Sequence, residues 1–300
     1  MFDVANFINC IITYGKIKNF IITNRTNDIT NLRRFHNNIK SKLIFEYCQK
    51  ADAKKLLDIA CGRGGDLQKW LNRNLKLTYI FAFDNHKQSI YSSIKKGGEF
   101  DGAIARFINI KNDYKLKKIR MPFIQFSNLN ILDHNILTEL NKLDQNKIYD
   151  IVSCQFALHY FCENDIILNN VLNLISKKLN KGGYFIGTAT DGDLVNNILN
   201  HGNVNIPLLQ LIKKSINNYL FYINVESSNS SKNYFEIQGI SNEFFLFKEK
   251  LKNLAIKNNL ILIEYKSFYE YYKSSNTIVP LSVYEMIISF LNFSFVFQKV

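Results

Sequence analysis

The chain has 300 residues, 47% of them hydrophobic, and its 38 Lys+Arg against 25 Asp+Glu give a formal charge of +13. A chain this long buries roughly 75% of the surface its unfolded form exposes, so it needs no disulfide staples. Its 3 Pro and 13 Gly exclude a collagen-like chain and argue against a long disordered linker.

The first stretch, residues 1–24, is fairly apolar but carries Asp3, Asn6 and Asn9 and no basic lead, so it is not read as a signal peptide. No uninterrupted apolar run reaches the ~18 residues of a membrane span, and no membrane partner is expected. Residues 1–48 are expected to form an N-terminal helical segment, with Leu32, Phe35, Ile39, Leu43 and Ile44 at helical spacing. A larger domain, 49–300, then alternates strands and helices. Lys55–Ile59 is a first strand, followed by a glycine-rich turn and a helix from Leu67 to Leu71. Thr78–Phe83 is a second strand ending at Asp84, Phe123–Phe126 a third and Tyr149–Cys154 a fourth. Asp165–Leu179 reads as a helix, and Tyr184–Ala189 as a fifth strand. Residues 191–238 interrupt the pattern with a Ser/Asn stretch, Glu226–Asn233, between two aromatic runs, which predicts a hairpin insertion. A helix near Phe247–Lys257 and strands Leu260–Tyr265 and Phe293–Phe297 follow. This order predicts a doubly wound, mostly parallel α/β sheet with one antiparallel edge strand.

Five cysteines, Cys10, Cys48, Cys61, Cys154 and Cys162, contain no CxxC pair. That argues against a disulfide framework or a zinc site and fits a reducing, intracellular compartment. The positive charge points to an acidic partner such as nucleic acid or a phosphorylated ligand.

Chemistry concentrates at the predicted carboxyl ends of the strands, where open α/β sheets bind ligands. The first turn, Asp58-Ile59-Ala60-Cys61-Gly62-Arg63-Gly64-Gly65-Asp66, lets backbone approach a ligand because Gly62, Gly64 and Gly65 lack a Cβ. Its Gly-x-Gly-Gly spacing is not the dinucleotide fingerprint Gly-x-Gly-x-x-Gly. Asp84 ends the second strand, where a carboxylate can accept from both ribose hydroxyls of a nucleoside cofactor. The fourth strand runs into Gln155-Phe156-Ala157-Leu158-His159-Tyr160.

Together with Leu32-Arg33-Arg34-Phe35-His36-Asn37-Asn38-Ile39-Lys40-Ser41 and Gly182-Gly183-Tyr184-Phe185, these segments resemble the mRNA cap guanine-N7 methyltransferases of eukaryotes and large DNA viruses. The resemblance runs from about Leu32 to the C-terminus. It implies a class I, Rossmann-like methyltransferase using S-adenosyl-L-methionine. By position it places Lys40, Asp58, Gly62, Asp66, Asp84 and Gln155 around that cofactor. Asn128 and Asn130 stand where many relatives carry an acidic residue near the adenine. Asn37 falls in the wall between the two ligands, and Phe156, His159 and Tyr160 on the floor of the guanine pocket. Arg106 matches a cap triphosphate contact and Glu243 the carboxylate that reads guanine. Asn292 stands where many relatives carry a guanine-touching Tyr, and Thr190-Asp191-Gly192 replaces a Pro, as in the viral branch. The insertion is expected to overhang the cap pocket.

The implied partners are the capped 5′ end of RNA and other capping-enzyme domains or a stimulatory subunit, in nucleus, cytoplasm, viral factory or virion. No metal and no catalytic dyad is expected. Two rivals remain at this level. One is a methyltransferase for another RNA base or a small molecule. The other is a catalytically silent methyltransferase-like subunit.

Overall fold

The computed structural model describes residues 29–92, 102–224, 240–274 and 279–300. Two sheets organise them. The larger takes seven strands, β1 (Lys55–Ile59), β2 (Tyr79–Asp84), β3 (Phe123–Asn128), β4 (Tyr149–Gln155), β5 (Leu179–Thr190), β10 (Leu260–Ser267) and β11 (Asn292–Lys299), in the order β10-β11-β5-β4-β1-β2-β3. β1 to β5 pair in parallel, whereas β11 runs antiparallel to both β5 and β10. The expected antiparallel edge is therefore a reversed strand, β11, with β10 outermost.

The sequence splits this sheet into two apolar faces because successive strand side chains point in opposite directions. Leu56, Ile80, Ile151, Ile186 and Val296 face one layer, where Leu43, Ile44 and Tyr47 of helix α1 (Thr30–Lys50) pack with Trp70 of the short helix α2 (Leu67–Trp70). Leu57, Phe81, Val152, Phe185 and Phe295 face the other. There they meet helices α5 (Ile136–Leu143), α6 (Asp165–Lys178) and α8 (Lys248–Lys257). A buried ion pair, Lys178 Nζ to Asp144 Oδ2 at 2.7 Å, links α6 to the chain just past α5, and Tyr149 Oη donates to the same oxygen at 2.8 Å.

Helix α1 runs through the expected division at residue 48. Helix α1 continues to Lys50 and buries Leu43, Ile44, Tyr47 and Cys48 in the sheet's own core, so it belongs to the main domain. Residues 1–28 lie outside the described residues. Two further helices precede β3, α3 (Lys87–Tyr91) and α4 (Ala103–Leu116). Helices α9 (Phe268–Ser274) and α10 (Val283–Phe290) lie between β10 and β11. Ser282 and Glu285 form a capping box on α10. Glu285 also accepts from the Leu32 amide at 2.8 Å, satisfying one of the donors that the first turn of α1 leaves open.

The insertion is larger than a hairpin. Helix α7 (Gly192–Asn200) precedes a second sheet, β6 (Val204–Ile206), β7 (Leu209–Lys213), β8 (Asn218–Ile223) and β9 (Ile240–Phe244), antiparallel throughout. The first aromatic run lies in β8, which pairs with β9 so that Tyr219 stands opposite Glu243, while the second, Tyr234-Phe235, lies outside the described residues. The predicted tip, Glu226–Asn233, lies outside the described residues. This sheet packs on α10 through Leu209, Leu211, Tyr219, Ile287 and Ile288. β9 is thereby set beside the 3-10 turn Leu158–Phe161 that follows β4.

Candidate active site

A cleft of about 940 Å³ opens where β1, β2 and β4 end. Its walls come from those strand ends, from α1, from the first turn of α4 and from β9 of the insertion. The turn after β1 faces it. Ala60, Gly62 and Gly64 all have φ between 52° and 70°. A Cβ on Gly64 would stand 2.6 Å from Leu67 Cδ1, while one on Gly65 would meet nothing within 4 Å. Gly64 is thus needed for packing of the turn, and Gly65 leaves open space.

At the end of β2, both oxygens of Asp84 accept from backbone: Oδ2 from the Gly62 amide at 2.9 Å and Oδ1 from the His86 amide at 2.8 Å. Asp84 lines the cleft. Asp66 pairs with Lys40 Nζ at 2.8 Å and Lys69 Nζ at 2.7 Å. Burial raises the Asp66 carboxyl pKa, but the two ammonium groups overcome that and hold it below the usual range. Asp58 does not line the cleft. It is buried beneath the turn and accepts from Trp70 Nε1 at 3.2 Å. Burial, then the neighbouring Asp66 charge, push its pKa up to about 7.

Gln155 lines the cleft with its amide occupied: Oε1 accepts from Thr188 Oγ1 at 3.1 Å and Nε2 donates to Ser153 Oγ at 3.2 Å. Asn130 lines the cleft within a local turn, accepting from the Leu132 amide and donating to Asp133. Asn128 does not reach the cleft wall, because its Nδ2 donates to the Asp84 carbonyl at 2.8 Å. Of the eight residues expected around the cofactor, Asp58 and Asn128 therefore act from behind.

The other half of the cleft gathers all six expected substrate residues, Asn37, Arg106, Phe156, His159, Tyr160 and Glu243. Phe156 has φ 55° and stacks on His36, with centroids 5.3 Å apart and planes at 19°. His36 is buried and shares a hydrogen bond with Ser289 Oγ at 3.0 Å. Burial, and secondarily Lys40, push its pKa down to about 3, so the ring is neutral. Tyr160 Oη and Ser241 Oγ are 2.8 Å apart. His159 is buried beside Tyr160, and its Nε2 stands 3.6 Å from Glu243 Oε1. Among the described residues neither His159 ring nitrogen makes a hydrogen bond. Burial lowers its pKa against the opposing pull of Glu243.

Glu243 is 1% exposed. Its Oε2 accepts from Tyr219 Oη at 2.8 Å and Thr190 Oγ1 at 3.1 Å. Sequence reasoning named neither of these as a site residue. Thr190 had a signal, since it ends β5 next to the ligand-bearing end of β4. Tyr219 had only the alternation of β8, which marks it as inward-facing but not its partner. Asn292, also in the cleft wall, donates to the Ile288 and Ser289 carbonyls.

Comparison with known proteins gives the family and the fold. Residues 11–279 match the model of the mRNA (guanine-N(7))-methyltransferase domain. The probable mRNA-capping enzyme of Acanthamoeba polyphaga mimivirus is 29% identical over 277 residues, 83% of this chain and 22% of that protein. The mRNA cap guanine-N(7) methyltransferase 1 of Arabidopsis thaliana is 33% identical over 169 residues, 56% of this chain and 40% of that one. The chain thus spans well under half the length of these relatives. Among solved structures, an S-adenosylmethionine-dependent methyltransferase from Clostridium acetobutylicum superposes with TM-score 0.52 at 14% identity, covering 97% of this chain and 99% of its own. That similarity shows the fold.

Proposed function

The chain belongs to the mRNA (guanine-N(7))-methyltransferase family, and on that premise we propose that it methylates N7 of the guanosine capping mRNA. S-adenosylmethionine, when bound, supplies a methyl group carried on a sulfonium. The residues present fit that cofactor. Asp84 offers a carboxylate pre-oriented by two amides for ribose hydroxyls, and the turn at Gly65 leaves open space beside it.

The observation that carries the reading is Glu243. A buried carboxylate with one oxygen held by two hydroxyl donors presents the other to the cleft, beside the aromatic floor of Phe156 and Tyr160. Guanine offers N1–H and the exocyclic amine to such an acceptor, and adenine does not. Stacking on the floor is worth ~1–3 kcal/mol. N7 has a lone pair and no proton to lose, so the site needs no general base. Holding reactants in near-attack geometry supplies ~7–11 kcal/mol. The Glu243 charge also favours the positive charge that develops on the base. Arg106 adds a cation for the triphosphate.

The intact turn, Asp84 and Glu243 network support an active enzyme over a silent subunit. The small share of the mimivirus protein that this chain matches supports work alongside other capping domains. The four described cysteines are free thiols, in keeping with a reducing compartment; Cys10 lies outside the described residues. No helix among the described residues is long and apolar enough to cross a membrane.

The test is methyl transfer by the purified chain to RNA capped with GpppG, against RNA capped with ApppG, whose terminal nucleoside is adenosine, and free GTP. Transfer to N7 of the capping guanosine is expected. S-adenosylhomocysteine binding without transfer to any of the three would point to another substrate, and absent binding to a silent subunit.

A further inference from the structure

A second cavity, of about 420 Å³, lies between α1 and α2 and shares Asn37 and Gly65 with the main cleft. We propose that this groove receives the nucleotide that follows the cap, so that the enzyme holds the first transcribed residue of its RNA as well as the guanosine. The inference rests on the cap-methylating reading above and extends it to a site outside the cleft.

The groove is built by helical spacing. Asn37, Ser41 and Phe45 recur every four residues and form one stripe along α1. Eight residues of helix span about 12 Å, enough for one base with its sugar and phosphate. Gln68 and Asn72, again four apart, face that stripe from α2 and the residues after it. This lining contains no carboxylate. Its amides and hydroxyl can donate to or accept from any base edge, and the half-buried Phe45 offers a ring on which any base can stack. Such a surface grips a nucleotide without reading its identity, as an enzyme acting on many messages requires.

The junction fits the linkage. Gly65 has no side chain to block passage, and a Cβ there would face open space. Lys69 lines the groove and donates to the Gly65 carbonyl at 3.1 Å, which brings an ammonium group to the junction where phosphates must pass. A cap lies in the cleft as the end of a chain, and its triphosphate leads out to the next nucleotide. A groove that shares two wall residues with the cleft, long enough and polar enough, is therefore placed to receive what is covalently attached to a cap in the cleft.

The experiment compares kcat/KM for GTP, which has no following nucleotide, with that for a capped five-nucleotide RNA. Phe45→Ala removes the stacking ring, and Gln68→Glu places a negative charge in the groove from an exposed position that does not endanger folding. Each variant should lower the preference for RNA over GTP by about fivefold or more, the range expected for one lost base stack. Activity on GTP should stay within about twofold of wild type. In wild-type protein, capped RNA with 4-thiouridine at the first transcribed position should photocross-link to α1 or to the segment 67–72. An unchanged preference in both variants, or cross-links confined to other segments, overturns the groove while leaving cap methylation standing. A wild-type chain that methylates neither substrate overturns the parent reading and this one together.

Discussion

Glu243 shows how neighbouring side chains fix a single carboxylate in place. Two hydroxyls, from β5 and from β8, occupy Oε2, so the carboxylate cannot turn. Glu243→Gln keeps the shape but brings an amide toward guanine's own donors, and unpaired polar groups in a closed site cost ~1–3 kcal/mol or more. Methyl transfer should fall about tenfold or more, with S-adenosylhomocysteine affinity unchanged in a calorimetric titration. Tyr219→Phe removes only the tether. It should raise KM for capped RNA and shrink the preference for guanosine over inosine caps, a change that simple loss of packing would not produce. His36 carries a pH signature. Its folded pKa of about 3 lies below the ordinary 6.5, so the unfolded chain takes up a proton that the folded chain refuses. That contribution to stability is complete above about pH 6.5 and is lost as pH falls toward 3. His36→Phe should therefore lose less thermal stability than wild type between pH 7.5 and pH 4.5, measured as the difference between the two melting temperatures.

Among the elements, β5 is the most constrained. It lies between β4 and β11, and a Cβ on Gly187 would collide with the Cys154 carbonyl on one side and the Phe295 ring on the other. Gly187→Ala should destabilise by about 1–3 kcal/mol or more, read from denaturant midpoints, because neither neighbour can withdraw. Elements of this kind were legible in the sequence. Leu56-Leu57 and Phe185-Ile186 are continuous apolar runs, which only a strand buried on both faces tolerates. The glycine turn and Asp84 were legible because ligand chemistry leaves few residue choices there. The second sheet was not. Val204–Ile206 has three residues, too few for a period to register, and α7 has the amphipathic pattern of any surface helix. Helix α4 was missed although Arg106 was singled out, since Phe107, Ile110 and Tyr114 repeat at helical spacing without a capping residue at Gly102 to announce the start. The retreat of Asp58 and Asn128 from the cleft depends on partners, Trp70 Nε1 and the Asp84 carbonyl, that become neighbours only on folding.

Over the whole molecule, the proposed function predicts that the charge of +13 acts on the RNA and not on the cofactor. Each phosphate neutralised releases counterions, so binding of capped RNA should weaken log-linearly with salt. S-adenosylhomocysteine, which has no phosphate, should bind with nearly the same Kd from low to physiological salt. Parallel titrations with the two ligands check this, and equal salt slopes would contradict it. Arg106→Ala should flatten the RNA slope by somewhat less than one unit while leaving the cofactor titration untouched.

The place of β11 bears on the order in which the protein becomes competent during synthesis. β10 is made first, yet it joins the sheet only through β11, which lies between it and β5. Until residues 292–299 leave the ribosome, β5 presents an open edge and β10 has no strand to pair with. The same delay reaches the start of the chain, since the Leu32 amide waits for Glu285. A nascent chain stalled before Glu285 would carry the glycine turn and Asp84 with the first turn of α1 unclamped. The glycine turn and Asp84 are therefore translated well before Glu243 and β11, and the interval between them is when the growing chain most needs shielding from its neighbours.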